Sequence, residues 1–339
     1  MTISETHFFS RLLQVTKYIF IVITGAYALS GLLFLLGRVI IGEQWVVIAF
    51  FNTFAHLLWI PSLLLLPMML LIRQWRMALL LLPSVLMFLL IYGKQFIVGN
   101  NEAPQNAIVI TVLTHNIFGD NTDTEAIINL IRSADADIVA MQEVNYTMAE
   151  AFERQLSTEY PYQALHPQDV SVQGMVVLSR FPIVDDTYWQ YDWLRTPLAH
   201  ERLLIEVSAE QSIVVYNSHP THPGMNDSAF NPSWRSRELA AIYERTQAET
   251  LPIIWLGDFN MPHLSDDYQQ ITQSFEDVYQ RVGWGMGWTF PVTLRLIPLL
   301  RIDYIFISHE FEAMESVLLD SSGGSDHLPL TATIALPNQ

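Results

Sequence analysis

Long runs of apolar residues dominate the first hundred positions of the chain. Residues 18–36 and 45–72 contain no charged side chain, and residues 77–93 form a third, shorter run that can extend to residue 98. A helix needs about 20 apolar residues to span a bilayer. We therefore predict that residues 1–98 form a membrane anchor with about three transmembrane helices, followed by a polar linker over residues 99–107.

The charges that flank these runs predict an orientation. Two basic residues precede the first run and two more separate the second from the third, whereas the loop between the first two runs holds one base and one acid. Basic loops stay in the cytoplasm. Three crossings then place the rest of the chain outside the inner (plasma) membrane, so we expect a multi-pass protein with an extracytoplasmic domain.

After residue 107 the hydrophobic pattern changes to short strand-like runs that alternate with amphipathic helical stretches. Strands are predicted near residues 108–116, 138–142, 174–178, 202–207, 213–217, 253–256, 302–307 and 330–334. Helices are predicted over residues 124–133, 148–156 and 234–246. This mixture predicts an α/β sandwich over residues 108–339.

Polar residues follow the predicted strands at positions that apolar packing does not explain. The run of residues 253–256 ends in Gly257 and Asp258, and strand alternation would place Asn260 on the same face as Asp258. Each such residue alone has an ordinary explanation, such as a turn or a helix cap. Their recurrence at six places favours a common site; the residues are His115-Asn116, Gln142-Glu143, Asn217-Ser218-His219, Asp258 with Asn260, Asp303, and Ser325-Asp326-His327.

This ordered set resembles the motifs of the endonuclease/exonuclease/phosphatase superfamily, which includes DNase I-like nucleases, sphingomyelinases and inositol polyphosphate 5-phosphatases. The resemblance covers roughly residues 108–335. It implies a four-layer α/β sandwich and an enzyme that cleaves a phosphate ester or anhydride with a divalent metal, Mg²⁺ or Mn²⁺. The membrane anchor followed by such a domain is also similar to the bacterial VanJ-like proteins.

The resemblance also implies roles for individual residues. Glu143 would be the main metal ligand, with Asn116 and Asp326 close by. Asp258 would orient or deprotonate the attacking water, and Asn260 would hold water or phosphate. The remaining catalytic residues would act on the phosphoryl group: His327 paired with Asp303, and His219.

Three further residues are candidates for substrate binding. His222 either contacts phosphate or only shapes its proline-bounded loop. Arg237 either reaches a phosphate or pairs with nearby acids on its helix. Trp288 belongs to an aromatic and leucine-rich stretch before Asp303 that either meets a lipid or packs inside the domain.

Charge and composition narrow the substrate. All but two of the 34 acidic residues and all but six of the 17 basic residues lie after residue 100, where there is no lysine. This acidic half disfavours non-specific binding of nucleic acid. The absence of cysteine excludes disulfides and thiolate catalysis. We expect a phosphate-containing, lipid-linked substrate; a tethered nuclease and a non-catalytic binding module are the alternatives, and no protein partner can be inferred.

Overall fold

The apolar N-terminal stretches form helices, which satisfy their backbone hydrogen bonds internally. A computed structural model describes residues 3–97, 101, 103–226, 229–292 and 298–337, and the chain divides into two compact units, Met1–Lys94 and Gln95–Gln339. The first unit contains four helices: α1 (Ile3–Ile40), α2 (Val46–Thr53), α3 (Ala55–Leu71) and α4 (Trp75–Tyr92). Residues 99, 100 and 102 of the predicted linker lie outside the described residues, as does residue 98 at the end of the predicted anchor.

Two or three of these apolar segments could cross a membrane. Phe8–Ile40 and Trp75–Phe96 are each long and apolar enough to span. The second predicted span is not a single straight helix, because α2 and α3 meet at a bend of 60°. The break lies at Phe54, whose φ of −114° and ψ of 15° leave the helical region.

The second unit contains two six-stranded sheets. The first sheet is formed by β1 (Ile108–Asn116), β2 (Ile138–Gln142), β3 (Tyr162–His166), β4 (Met175–Ser179), β11 (Glu312–Leu318) and β12 (Leu330–Leu336). Its order is β11-β12-β1-β2-β4-β3, with β1 and β2 parallel. The two middle strands β1 and β2 therefore end at the same edge, where the side chains after Asn116 and Gln142 meet.

The second sheet repeats this arrangement. It is formed by β5 (Ile183–Gln190), β6 (Ala199–Glu206), β7 (Ser212–Ser218), β8 (Ile253–Asp258), β9 (Glu276–Asp277) and β10 (Asp303–Ile307). Its order is β5-β6-β7-β8-β10-β9, with β7 and β8 parallel. Five helices accompany the sheets: α5 (Thr124–Ala134), α6 (Tyr146–Leu156), α7 (Ser233–Gln247), α8 (Asp266–Ile271) and α9 (Val278–Val282).

Side chains of a strand point alternately to the two faces of its sheet, and the apolar residues of the second unit therefore form three hydrophobic cores. Ile254 and Leu256 of β8 point into the core between the two sheets, whereas Trp255 points to the opposite face. That outer core packs against α7 through Leu239, and the other sheet packs against α5 and α6 in the same way. The result is helix, sheet, sheet, helix, which confirms the predicted four-layer α/β sandwich.

The predicted strands are present, but the structure adds four that the pattern did not predict. These are β3, β5, β9 and β11, and each lies at the edge of its sheet. Edge strands are partly exposed and therefore carry polar residues at positions that would be apolar in a central strand. In β5, for example, Asp185 and Asp186 interrupt the hydrophobic alternation and are exposed.

We expect Gly257→Ala to destabilise the second unit by at least about 2 kcal/mol, because the φ of Gly257 is +141° and a Cβ there would lie 2.0 Å from the Ser218 carbonyl oxygen. The measurement is thermal unfolding of the purified protein. Gly224→Ala is the control, since a Cβ at that position meets nothing closer than 3.6 Å. Equal melting temperatures for the two variants would contradict the prediction.

Candidate active site

Strand pairing places two carboxylates side by side in the second sheet. β8 and β10 run antiparallel with Asp258 directly opposite Asp303, and both residues are buried. Two neighbouring buried carboxylates repel one another unless a positive charge lies between or beside them. The register of this one pair of strands therefore creates the need for a cation.

His327 meets that need. Its Nδ1 lies 2.9 Å from Asp303 Oδ2, and its Nε2 lies 3.7 Å from Asp258 Oδ2. Burial lowers the pKa of His327, but the carboxylates of Asp303 and Asp258 more than offset this and raise it to about 10. Ser325 fixes the backbone, accepting from the His327 N–H and donating to the Asn116 carbonyl. The imidazole is therefore held as a cation at neutral pH.

A second histidine approaches the same carboxylate from β7. His219 follows the last residue of that strand, and its Nε2 lies 3.5 Å from Asp258 Oδ2 and 3.8 Å from Glu143 Oε1. Burial raises the pKa of Asp258 to about 6, with His327 and His219 opposing the increase. A carboxylate with a pKa near neutrality is suited to accept a proton from water.

Glu143 is held at the end of β2 by donors from β1 and the loop after it. Asn116 Nδ2 donates to Glu143 Oε1 at 3.0 Å and to Asp258 Oδ2 at 3.1 Å, and the Gly119 N–H donates to Glu143 Oε2 at 2.9 Å. Burial alone would raise the pKa of Glu143, but His219 and these hydrogen bonds lower it. Glu143 is thus stabilised as an anion, as a metal ligand must be.

Asn260 does not continue the β8 strand. The predicted strand alternation, which would place its side chain on the same face as that of Asp258, is therefore wrong. The strand ends at Asp258, and Asn260 has a φ of +50°. Its N–H donates to Asp258 Oδ1, and its Nδ2 donates to the Pro220 carbonyl at 3.0 Å. Asn260 therefore fixes the carboxylate of Asp258 and ties the loop that follows His219 to the end of β8.

The donor set fits a divalent cation that prefers oxygen ligands. Burial raises the pKa of Asp326, and the nearby charge of Glu143 adds to this while His327 opposes it. Asp303 Oδ1 is buried and has no hydrogen-bond partner among the described residues. The ligand atoms of Asp258, Asp303 and His327 also lie within 4.8 Å of one another. Carboxylates thus outnumber the positive groups available to neutralise them.

The three predicted substrate-binding residues have different surroundings. His222 lies at the surface, where partial desolvation of its ring lowers its pKa. The charge of Glu143 opposes this shift, so the histidine lies within the electrostatic reach of the site. Arg237 lies over the Trp193 ring, with its guanidinium carbon 4.3 Å from the ring centroid. Trp288 is half-buried in the segment before β10. Residues 293–297, within the leucine-rich stretch, lie outside the described residues.

Two aromatic residues lie in the segments that carry the site. Phe290 packs on the imidazole of His327, with ring centroids 4.7 Å apart. Phe118 follows the Asn116 loop with a φ of +64° and is 38% exposed. The sequence gives no signal for Phe118, because its position depends on a left-handed turn in a residue that rarely adopts one.

The match to known proteins decides the family. The model of the endonuclease/exonuclease/phosphatase family matches residues 113–327, a segment that contains Glu143, Asp258 and His327. The chain belongs to the endonuclease/exonuclease/phosphatase family. Family membership makes it a hydrolase of phosphoesters. No curated protein matches the chain.

Solved structures of this family share the fold of the second unit. A conserved protein of unknown function from Enterococcus faecalis has 19% identity and a TM-score of 0.57, covering 67% of this chain and 100% of that chain. An endonuclease/exonuclease/phosphatase family protein from Bacteroides thetaiotaomicron has 17% identity and a TM-score of 0.57, and the match covers 69% of this chain and 100% of that chain. The human Nocturnin catalytic domain, solved with a bound sulfate anion, has 18% identity and a TM-score of 0.53, covering 70% and 97%.

Replacing Asp303 with Asn tests the coupling to His327. The carboxylate favours the imidazolium, so its loss lowers the pKa of His327 and the cation is lost at a lower pH. We expect the alkaline limb of the pH profile of kcat/KM to move to lower pH, and kcat to fall by about 10²-fold. Asp192→Asn, at an exposed site, is the matched control. An unmoved alkaline limb would show that Asp303 does not set the charge of His327.

Proposed function

We propose that this endonuclease/exonuclease/phosphatase family member hydrolyses a phosphate ester or anhydride of a membrane-associated lipid, with Mg²⁺ or Mn²⁺ as its cofactor. The proposed hydrolysis rests on one observation, the convergence of three side chains at the ends of neighbouring segments. The Nε2 atoms of His219 and His327 lie 3.5 Å and 3.7 Å from Asp258 Oδ2. Glu143 and Asp326 would hold the metal, with Asn116 beside them. When bound, the ion would offset negative charge on the phosphoryl oxygens.

The residues of this chain have separate tasks in the proposed reaction. Asp258 is the group that accepts a proton from the attacking water, because its raised pKa lies near neutrality. His327 is cationic and so stabilises the phosphoryl group or gives a proton to the leaving oxygen. His219 binds a second phosphoryl oxygen. The similar human Nocturnin catalytic domain was solved with a bound sulfate, an anion of the same tetrahedral shape as phosphate.

Three observations support a lipid rather than a nucleic acid. The N-terminal helices are long and apolar enough to tether the chain to a membrane. The domain after residue 100 is acidic and has no lysine. Phe290 packs on His327, and Trp284, which is 65% exposed and contacts the ring of Phe96 at a centroid distance of 6.2 Å, precedes it in the same segment. The Phe290 ring beside the phosphoryl site suits a substrate whose phosphate is joined to a hydrocarbon.

The first test is turnover by the detergent-solubilised protein. We expect Mg²⁺-dependent phosphate release or diester cleavage from one of polyprenyl pyrophosphate, phospholipid or sphingomyelin, and none from plasmid DNA. Asp258→Ala and His327→Ala should each reduce kcat by about 10²- to 10⁴-fold. His309→Ala, a histidine at an exposed site, should retain full activity. Plasmid nicking with every lipid untouched would favour the nuclease instead.

The exposed tryptophan gives a separate test of lipid recognition. We expect Trp284→Ala to raise KM about tenfold for a long-chain lipid phosphate, since it removes apolar contact area. The same variant should leave KM unchanged for a soluble short-chain analogue with the same headgroup. An equal change for both substrates would mean that the tryptophan supports the fold and does not bind the lipid chain.

The proposed location outside the inner (plasma) membrane can be tested with introduced cysteines, because the chain has none. Glu210→Cys, at an exposed turn of the second unit, should react with a membrane-impermeant maleimide in intact cells. Gln74→Cys, between α3 and α4, should react only after lysis. The opposite labelling pattern would place the domain in the cytoplasm.

A further inference from the structure

A second group of metal-ligand side chains lies at the edge of the sandwich where β3, β5 and β6 meet, and it is separate from the side chains that form the active site. β3 is the last strand of the first sheet and β5 is the first strand of the second, so the two are edge strands that face one another. His166 ends β3, Asp186 lies within β5, and Glu201 lies on the adjacent β6. We call these three residues the edge cluster.

The edge cluster is compact enough to hold one ion. His166 Nε2 lies 2.8 Å from Asp186 Oδ2 and 3.6 Å from Glu201 Oε1. One ligand atom from each of the three residues lies within 4.8 Å of the other two. The His166 ring also stacks on Tyr188, with centroids 5.0 Å apart and planes 28° apart, which fixes the direction of Nε2.

Glu201 supplies an independent sign that something is bound there. Its side chain is 0% exposed, and Oε2 accepts from Asn217 Nδ2 at 3.3 Å. Oε1 is directed at His166 and Asp186 and has no hydrogen-bond partner within the described ranges. A buried carboxyl oxygen without a partner is costly. A cation at this point would supply the missing partner of Glu201 Oε1.

We propose that His166, Asp186 and Glu201 form a second metal site that takes a transition-metal dication such as Zn²⁺. An imidazole nitrogen is a ligand for zinc and its neighbours, whereas magnesium and calcium prefer oxygen alone. Three protein ligands leave one position of a tetrahedron for water. The partial exposure of His166 and Asp186, whose side chains are 28% and 27% accessible, gives that water a path.

The site would join the two sheets where their edges meet. Its ligands come from both sheets, and the chain has no cysteine that could supply a covalent link. Glu201 is also connected inward, because Asn217 Oδ1 accepts from Gln142 Nε2 at 2.7 Å, and Gln142 precedes the active-site Glu143. A metal at the edge cluster therefore stabilises the sandwich and the polar contacts beneath the active site.

The test is metal binding by the purified full-length protein in detergent. Co²⁺, which occupies the tetrahedral sites of zinc and absorbs visible light, is titrated in excess Mg²⁺ so that oxygen-only sites are filled. We expect the wild type to bind one more Co²⁺ per chain than His166→Gln and to show an absorption band that the variant lacks. His309→Gln, a histidine replaced at an exposed position, should behave as wild type.

Stability provides a second readout that does not depend on activity. In excess Mg²⁺, Zn²⁺ should raise the melting temperature of the wild type and of His309→Gln by more than that of His166→Gln, because the variant lacks one of the sites through which Zn²⁺ stabilises the folded state. Asp186→Asn, at a partly exposed side chain, repeats the test if His166→Gln does not fold. Equal Co²⁺ stoichiometry and equal Zn²⁺ shifts in all variants would overturn the proposal and leave the edge cluster as an ion pair.

Discussion

The active site depends on the burial of two adjacent carboxylates. Asp258 and Asp303 are neighbours across the β8–β10 ladder and are 2% and 1% exposed. Such a pair is stable only with a compensating cation, and His327 is held between them by two contacts. The same arrangement gives each group its chemistry. Burial raises the pKa of Asp258 towards neutrality, while the two acids keep the imidazole charged. Structural compensation and catalytic function are therefore consequences of one set of contacts.

The surrounding polar residues serve mainly to hold that set in place. Arg235 is buried, and its guanidinium contacts Asp267 and the Asn260 carbonyl, so it fixes the loop after β8. Glu238 on α7 accepts from the Thr221 N–H at 2.8 Å and thereby holds the loop that follows His219. From the sequence alone the arginine, but not the acidic Glu238, would be a candidate to contact a phosphate. Both side chains are buried and hydrogen-bonded, and breaking such a buried hydrogen bond costs free energy. Their role is therefore to position the loops that carry the site.

The sequence predicted the central strands because their apolar residues alternate, and it predicted the active-site residues through the family resemblance. It did not predict β3 and β5, where polar residues occupy half-exposed edges. The start of β6 was also missed, because buried His200 and Glu201 do not look like strand residues. Their burial depends on partners far along the chain, Glu238 and Asn217. Periodicity describes how a segment meets water, and it cannot show that a polar side chain has a distant partner inside.

The distribution of positive charge bears on the kind of phosphate that this site can accept. Arg301 is buried against Asp277 and two tyrosine rings, Arg235 is committed to Asp267, and Arg237 lies over Trp193. Among the described residues, the cation in contact with the buried carboxylates is His327, and any ion that the carboxylates hold would add to it. A polyanion gains affinity by neutralising many phosphates along an extended basic surface. A single headgroup needs only a compact cationic centre, and an acidic domain with a buried cation at His327 is therefore compatible with the proposed lipid phosphate.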